Sequence, residues 1–253
     1  MAEYNPSELM TVNAARLLRD RDVVMVGVGL PNLACNLARR THAPNLVMIY
    51  EAGVIGAQPA RLPLSIGDPT LVSGAIGVCT FYELFSFFLQ RGYINVGFMG
   101  GAQIDRLGNV NATVIGDYAK PKVRLPGSGG AVEIAAWADR CYFITPHEKR
   151  RFPPKVDFVT SAGYIGPRAQ RVQAGVRGGG PAAVVTNLGI MEPDASGELV
   201  LAALHPDCTV EAAQANTGWP LRAAASLRAT EPPSALELRI LREELDPQRI
   251  YLS

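Results

Sequence analysis

Apolar residues gather in short runs closed by glycine or proline, and these runs alternate with stretches whose apolar positions recur every three or four residues. Strand-length runs alternating with helical periodicity predict βαβ units. The first helix opens at Asn5-Pro6-Ser7-Glu8, with Asn5 as N-cap, Pro6 at the first helical position and Glu8 reaching back as in a capping box. It should extend to about Arg19. A short strand follows over 23–26, then the turn Gly27-Val28-Gly29-Leu30-Pro31, then helical spacing over 32–40. Leu46, Val47, Met48, Ile49 and Tyr50 read as a strand buried on both faces, ended by Ala52-Gly53. Strand, glycine loop, helix and strand make one βαβ unit. Its parallel strands place the glycine loop and Glu51 at the same edge of the sheet.

The pattern persists downstream. The aromatic-rich segment 79–92 has helical spacing and is expected in the core or at a subunit contact. A strand over 94–99 precedes Gly100-Gly101. Residues 102–117 alternate strand with the turn Arg106-Leu107-Gly108-Asn109, which Asp105 and Asn109 should shape. A second glycine loop, 127–131, opens a helix ending near Trp137, and a strand over 141–145 runs into the charged segment His147-Glu148-Lys149-Arg150-Arg151. Residues 183–191 and 198–204 read as the arms of one hairpin, and Ser234-Ala235-Leu236-Glu237 caps a last helix to about Leu245. The expected fold is α/β, an open and mainly parallel sheet flanked by helices. One domain over 1–253, with a C-terminal extension from about 178, accommodates the soft break at Gly178-Gly179-Gly180-Pro181.

Composition narrows the function. A hydrophobic content of 48% over 253 residues is ample for a continuous core. With 24 basic against 23 acidic residues, there is no electrostatic footprint for nucleic acid or an anionic membrane. Cys35, Cys79, Cys141 and Cys208 are scattered without a CxxC pair, as expected of buried thiols in the cytoplasm. No uncharged run is long enough to span a bilayer. His42, His147 and His205 lack metal-ligand spacing, so neither a metal nor a permanently bound cofactor is expected.

Glu51 is the candidate for chemistry. A lone carboxylate at a strand's carboxyl end, followed by small residues that let a substrate approach, can serve as a nucleophile. The same residue could instead cap a helix or pair with an arginine. The loop 27–31 lacks the third glycine of a dinucleotide fingerprint. Its glycines either let backbone amides such as those of Val28 and Gly29 approach a carbonyl oxygen, or only make a tight turn. Successive amides at 127–131, around Gly129 and Gly130, could stabilise an oxyanion. The charge run at 147–151 reads first as solvated loop.

These residues resemble the family I CoA-transferases, and most closely the β subunits of the glutaconate type. The resemblance covers nearly the whole chain and rests on GVGLP at 27–31, YEAG at 50–53, GGAQIDRLGNVNAT at 100–113, IGDY at 115–118, GSGGA at 127–131 and HEKRRF at 147–152. It implies a NagB/RpiA-like open α/β fold and a separate partner α subunit, since the chain is about half the length of fused transferases and carries no second copy of the fold. It also implies that Glu51 stands in the place of the catalytic glutamate, forming a covalent glutamyl-CoA thioester, with coenzyme A entering only as part of the substrate. Val28, Gly29, Gly53, Gly129 and Gly130 would then surround the acyl group, and Lys149, Arg150 or Arg151 could hold a distal carboxylate. The chain departs from its relatives at Ala52, where glutaconate-type β subunits have serine and 3-oxoacid transferases asparagine. Loss of that polar side chain suits a more apolar acyl group and leaves room for two other functions. One is a CoA-ester lyase or hydrolase on the same scaffold, using Glu51 as a base. The other is a structural subunit whose partner does the chemistry.

Overall fold

The structure, a computed structural model, describes residues 3–59, 61–164 and 168–252. The chain forms two compact units, Met1–Phe98 with Pro232–Ser253, and Met99–Glu231. Gly178 lies inside the second.

In the first unit, helix α1 (Pro6–Arg16) starts as the sequence predicts. The Asn5 side chain accepts from the Glu8 N–H at 2.9 Å, and the Glu8 carboxylate accepts from the Asn5 N–H at 2.9 Å. The helix stops before Arg19 because local polar groups offer the backbone other partners. The Asp22 carboxylate accepts from the Arg19 N–H at 2.9 Å, and Arg21 turns into the left-handed region at φ 66°.

Strand β1 (Val23–Met25), helix α2 (Leu30–Arg40) and strand β2 (Val47–Ile49) then complete the βαβ unit. β1 and β2 are parallel in the register Val23↔Val47, Val24↔Met48 and Met25↔Ile49. β2 continues by a tight turn into β3 (Val54–Ile55), which pairs antiparallel with β4 (Gly77–Val78). The segment 81–89 is helical as predicted, as α3 (Phe81–Glu83) followed by a wider π turn over Leu84–Leu89. β5 (Val96–Met99) pairs parallel with β1, so the strand order is β5-β1-β2-β3-β4, with β1 flanked on both sides. The C-terminal helix Ala235–Arg239 carries the predicted capping box and runs on as a π turn over Ile240–Leu245. It is tied to α1 by Arg16 with Glu237 at 2.8 Å and Arg242 with the buried Glu8 at 2.5 Å.

The second unit starts with two short hairpins, β6 (Gln103–Ile104) with β7 (Val110–Asn111), and β8 (Val114–Gly116) with β9 (Pro121–Arg124). Asp105 does shape the turn between β6 and β7: its carboxylate accepts from the N–H groups of Leu107 at 3.0 Å and Asn109 at 3.1 Å, and from the Asn109 side chain. After α4 (Ala131–Trp137) come β10 (Arg140–Ile144), α5 (Arg168–Gln173) and β11 (Pro181–Val185), with β10 and β11 parallel. The arm predicted over 183–191 is two strands. β11 ends at Val185 and β12 (Gly189–Pro193) returns antiparallel to it, because the Thr186 hydroxyl donates to the Gly189 carbonyl at 2.8 Å and turns the chain. β13 (Leu199–Leu204) closes the predicted hairpin with β12. Helix α6 (Val210–Ala215) and strand β14 (Ala223–Ala229), parallel to β13, were not legible in the sequence pattern. The α/β class holds in both units, with parallel and antiparallel strands in each.

Candidate active site

Glu51 sits on the three-residue loop that joins β2 to β3. The Gly53 N–H donates to the Tyr50 carbonyl at 2.8 Å, and the Tyr50 N–H donates to the Val54 carbonyl at 3.0 Å, leaving Glu51, Ala52 and Gly53 as the loop. A loop of this kind needs a left-handed residue at its third position, and Gly53 supplies it at φ 92°. A Cβ on Gly53 would collide with the Cys79 carbonyl oxygen, which belongs to the segment entering 81–89. The Gly53 carbonyl accepts from the Cys79 N–H at 2.9 Å. Both backbone polar groups of Gly53 are therefore committed to holding the turn.

The neighbouring loop follows β1. Two residues beyond the Met25↔Ile49 pair lie Gly27 and Glu51, so the sequence-predicted juxtaposition of glycine loop and carboxylate is present. Gly29 is the N-cap of α2, at φ 88° and ψ −150°, a backbone conformation open to glycine alone. Among the described residues, no oxygen accepts from the Val28 or the Gly29 N–H. Both lie at the positive end of an eleven-residue helix, where an anionic oxygen is stabilised. Glu51 is half-buried, and among the described residues its carboxylate has neither a hydrogen-bond partner nor an ion pair. It is therefore neither a helix cap nor an arginine partner, the two structural roles open to it from sequence.

Two residues that sequence reading passed over bind these loops together. Asn32, in the first turn of α2, donates to the Tyr50 hydroxyl at 2.6 Å, and Asn36 donates to the Asn32 side-chain oxygen at 2.9 Å. Asn32 and Tyr50 are each 1% exposed. Burial pushes the Tyr50 hydroxyl well above its usual titration range, so it stays protonated. Eighteen residues separate the pair, and only folding brings them into contact.

The other predicted site residues belong to the second unit. Gly129 is exposed and Gly130 is the buried N-cap of α4. Lys149, Arg150 and Arg151 line an open cleft of about 520 Å³ with Gln103, Ala102 and Ile115. Glu148 partly neutralises them, at 2.6 Å from Arg150 and 3.3 Å from Arg151, while Lys149 has no such pairing among the described residues. His147, the first residue of that charged segment, is not solvated. It is buried between the hydroxyls of Thr186 at 3.1 Å and Thr217 at 2.9 Å, and burial lowers its pKa to about 4. Of the cysteines, Cys35 and Cys141 are buried as expected, while Cys79 and Cys208 are half-buried; all four are free thiols. Among the described residues no three His, Cys, Asp or Glu side chains group to hold a metal ion, and no helix is long and apolar enough to cross a membrane.

An unpaired carboxylate on the turn after a parallel strand, beside amides without acceptors, supplies the nucleophile and the donors of an acyl-handling enzyme. The profile of the coenzyme A transferase family matches residues 7–216, and the chain belongs to that family. It is 50% identical to the B-type subunit of the 3-oxoadipate CoA-transferase of Pseudomonas knackmussii over 243 residues, which is 96% of this chain and 94% of that protein. The crystal structure of glutaconate coenzyme A-transferase from Acidaminococcus fermentans superposes with a TM-score of 0.92 at 36% identity, covering 99% of this chain and 98% of that one. The decarboxylase AibA/AibB superposes with a TM-score of 0.84 at 27% identity, covering 98% of each chain.

Proposed function

We propose that this chain is the β subunit of a two-subunit acyl-CoA:carboxylate CoA-transferase that works in the cytoplasm through a glutamyl-CoA thioester on Glu51. The observation that carries the reading is the unpaired Glu51 carboxylate beside the acceptor-free Val28 and Gly29 amides. In this mechanism the carboxylate attacks the thioester carbonyl of an acyl-CoA and expels CoA thiolate, leaving a mixed anhydride. The thiolate then attacks the glutamyl carbonyl and releases the donor acid, so that Glu51 carries CoA as a thioester. An acceptor carboxylate runs the same steps in reverse. Each addition builds a tetrahedral oxyanion, for which we assign the Val28 and Gly29 amides as donors. One such donor is worth on the order of 2.7–4 kcal/mol. Gly53 holds the nucleophile's turn. Gly129 and Gly130 are proposed as further amide donors to the acyl-CoA, and Lys149, Arg150 and Arg151 as contacts to a substrate carboxylate, supported by the basic cleft they line. The names of both transferase relatives, 3-oxoadipate and glutaconate, are those of dicarboxylates, which supports an acyl group with a second carboxylate. Their designation as one subunit of a pair supports a separate α subunit here.

The test uses the chain co-expressed with its α subunit. Incubation with acyl-CoAs in the absence of acceptor should yield a CoA adduct on Glu51 by mass spectrometry, reducible by borohydride and discharged by an added carboxylate. Glu51→Gln should form no adduct and transfer CoA only at background rate, because an amide is not a nucleophile at this carbonyl. A second reading is a CoA-ester lyase or hydrolase, favoured by Ala52 and by the likeness to AibA/AibB. Consumption of acyl-CoA without acceptor, with CO2 or free CoA released and no adduct, would establish it instead.

A further inference from the structure

Glu51 has no side-chain partner of its own, so its direction is set wholly by the backbone of the loop that carries it. That loop is short and its glycine fixes its internal shape, but nothing within the loop fixes where it lies relative to Val28 and Gly29. The connection comes from α2. At its first turn Asn32 donates to the Tyr50 hydroxyl at 2.6 Å, one residue before Glu51. At its last turn Arg39 donates to the Ala57 carbonyl at 3.0 Å, just past β3. The helix thus grips the β2-β3 hairpin on both sides of the loop, and the same helix begins at Gly29. The Asn32 amide is itself oriented: its oxygen accepts from Asn36 at 2.9 Å, so its nitrogen faces Tyr50. Both members of the Asn32–Tyr50 pair are buried, and a buried hydrogen bond between two neutral groups holds one geometry because either partner left alone is penalised.

We propose that Asn32 and Tyr50 are positioning residues for the transfer reaction: their hydrogen bond locks the Glu51 turn to the start of α2 and so keeps the carboxylate at a fixed distance from the Val28 and Gly29 amides. Neither touches the substrate. The assignment rests on the reading of Glu51 as nucleophile. It deepens that reading by naming what aligns the nucleophile with its oxyanion donors. Attack by a carboxylate depends steeply on alignment, and a misplacement of about 1 Å costs on the order of a hundredfold in rate. Ground-state binding of the acyl-CoA does not require that alignment.

Tyr50→Phe, Asn32→Ala and the double variant, each in complex with the α subunit, separate a positioning role from a structural one. Single-turnover formation of the Glu51 adduct should slow about ten- to a hundredfold in either single variant, with KM for acyl-CoA within about twofold of wild type. The double variant should be no slower than the worse single one, because both changes remove the same bond. Asn32→Asp, which can accept from the Tyr50 hydroxyl, should recover part of the rate lost in Asn32→Ala, and only while Tyr50 is present. An adduct rate within twofold of wild type in Tyr50→Phe, or losses that add in the double variant, overturns the assignment. So does a loss expressed only in KM. Tyr50→Phe preserves volume, and its result decides the matter if Asn32→Ala fails to assemble. An absence of adduct in the wild-type complex overturns the glutamyl thioester and this assignment together, whereas an adduct that forms normally in wild type and variants alike overturns this assignment alone.

Discussion

At the scale of single residues, the site depends on one glycine as much as on one acid. Gly53 adopts φ 92° with the Cys79 carbonyl where a Cβ would go, so Gly53→Ala has two penalties at once. A non-glycine residue at positive φ costs roughly 1–2 kcal/mol, and the collision forces β3 and the Cys79 segment apart. Gly53→Ala is expected to lower the unfolding midpoint and also to abolish adduct formation on Glu51, because the loop can no longer close under the carboxylate. Thermal denaturation together with the mass-spectrometric adduct assay checks both. A stable variant with normal adduct formation would show that the loop tolerates another shape. The identity of Glu51 and the turn signal at Ala52-Gly53 were legible in sequence, because both are local. The absence of any partner for Glu51 was not, since an arginine anywhere in the chain could have folded against it.

At the scale of elements, buried polar groups join segments that sequence reading treated separately. His147 lies just beyond β10, and its ring bridges Thr186, at the end of β11, and Thr217, after α6. Burial holds its pKa at about 4, against an ordinary value of 6.5. The unfolded chain therefore binds a proton between these values that the folded chain refuses. Stability is unaffected above pH 6.5 and is lost as pH falls from 6.5 through 4. The full loss is about 3 kcal/mol, at 1.36 kcal/mol for each pKa unit. Burial depresses the pKa of His205 as well, which adds in the same direction. Urea unfolding followed between pH 7 and 4.5 should show the decline, and His147→Gln should flatten it. An unchanged pH dependence in that variant would remove His147 as its source. Helix starts were legible at this scale because a capping box is a four-residue signal, as at Asn5 and Ser234. The turn at Thr186 was not, because the apolar run 183–191 has no glycine or proline before Gly189 and one hydroxyl makes the reversal.

At the scale of the whole molecule, large apolar side chains stand exposed through one stretch of the first unit, with Ile76 at 75%, Tyr82 at 68%, Val78 at 65% and Tyr93 at 64% exposure. Patches of this kind on an isolated chain promote association. Expressed alone, the chain is expected to bind a hydrophobic dye and self-associate, and to lose both properties on co-expression with its α subunit. Size-exclusion chromatography and dye fluorescence check this, and a well-behaved monomer that binds no dye would remove the expectation. The aromatic spacing of 79–92 already pointed to a helix in the core or at a subunit contact. Which aromatics are buried needed the structure: Phe85 is at 6% exposure while Phe81 is at 57%. By itself, the sequence determined the α/β class, the βαβ unit that carries the site, and the placing of Glu51 and the 27–31 loop at one sheet edge, because hydrophobic period, caps and turn residues act over a few positions. Only the tertiary structure decided that Glu51 is unpaired, that Val28 and Gly29 keep unaccepted amides, and that Asn32 holds Tyr50. Each of these depends on which distant group, if any, the folded chain brings within about 3 Å, and no local pattern of residues encodes that.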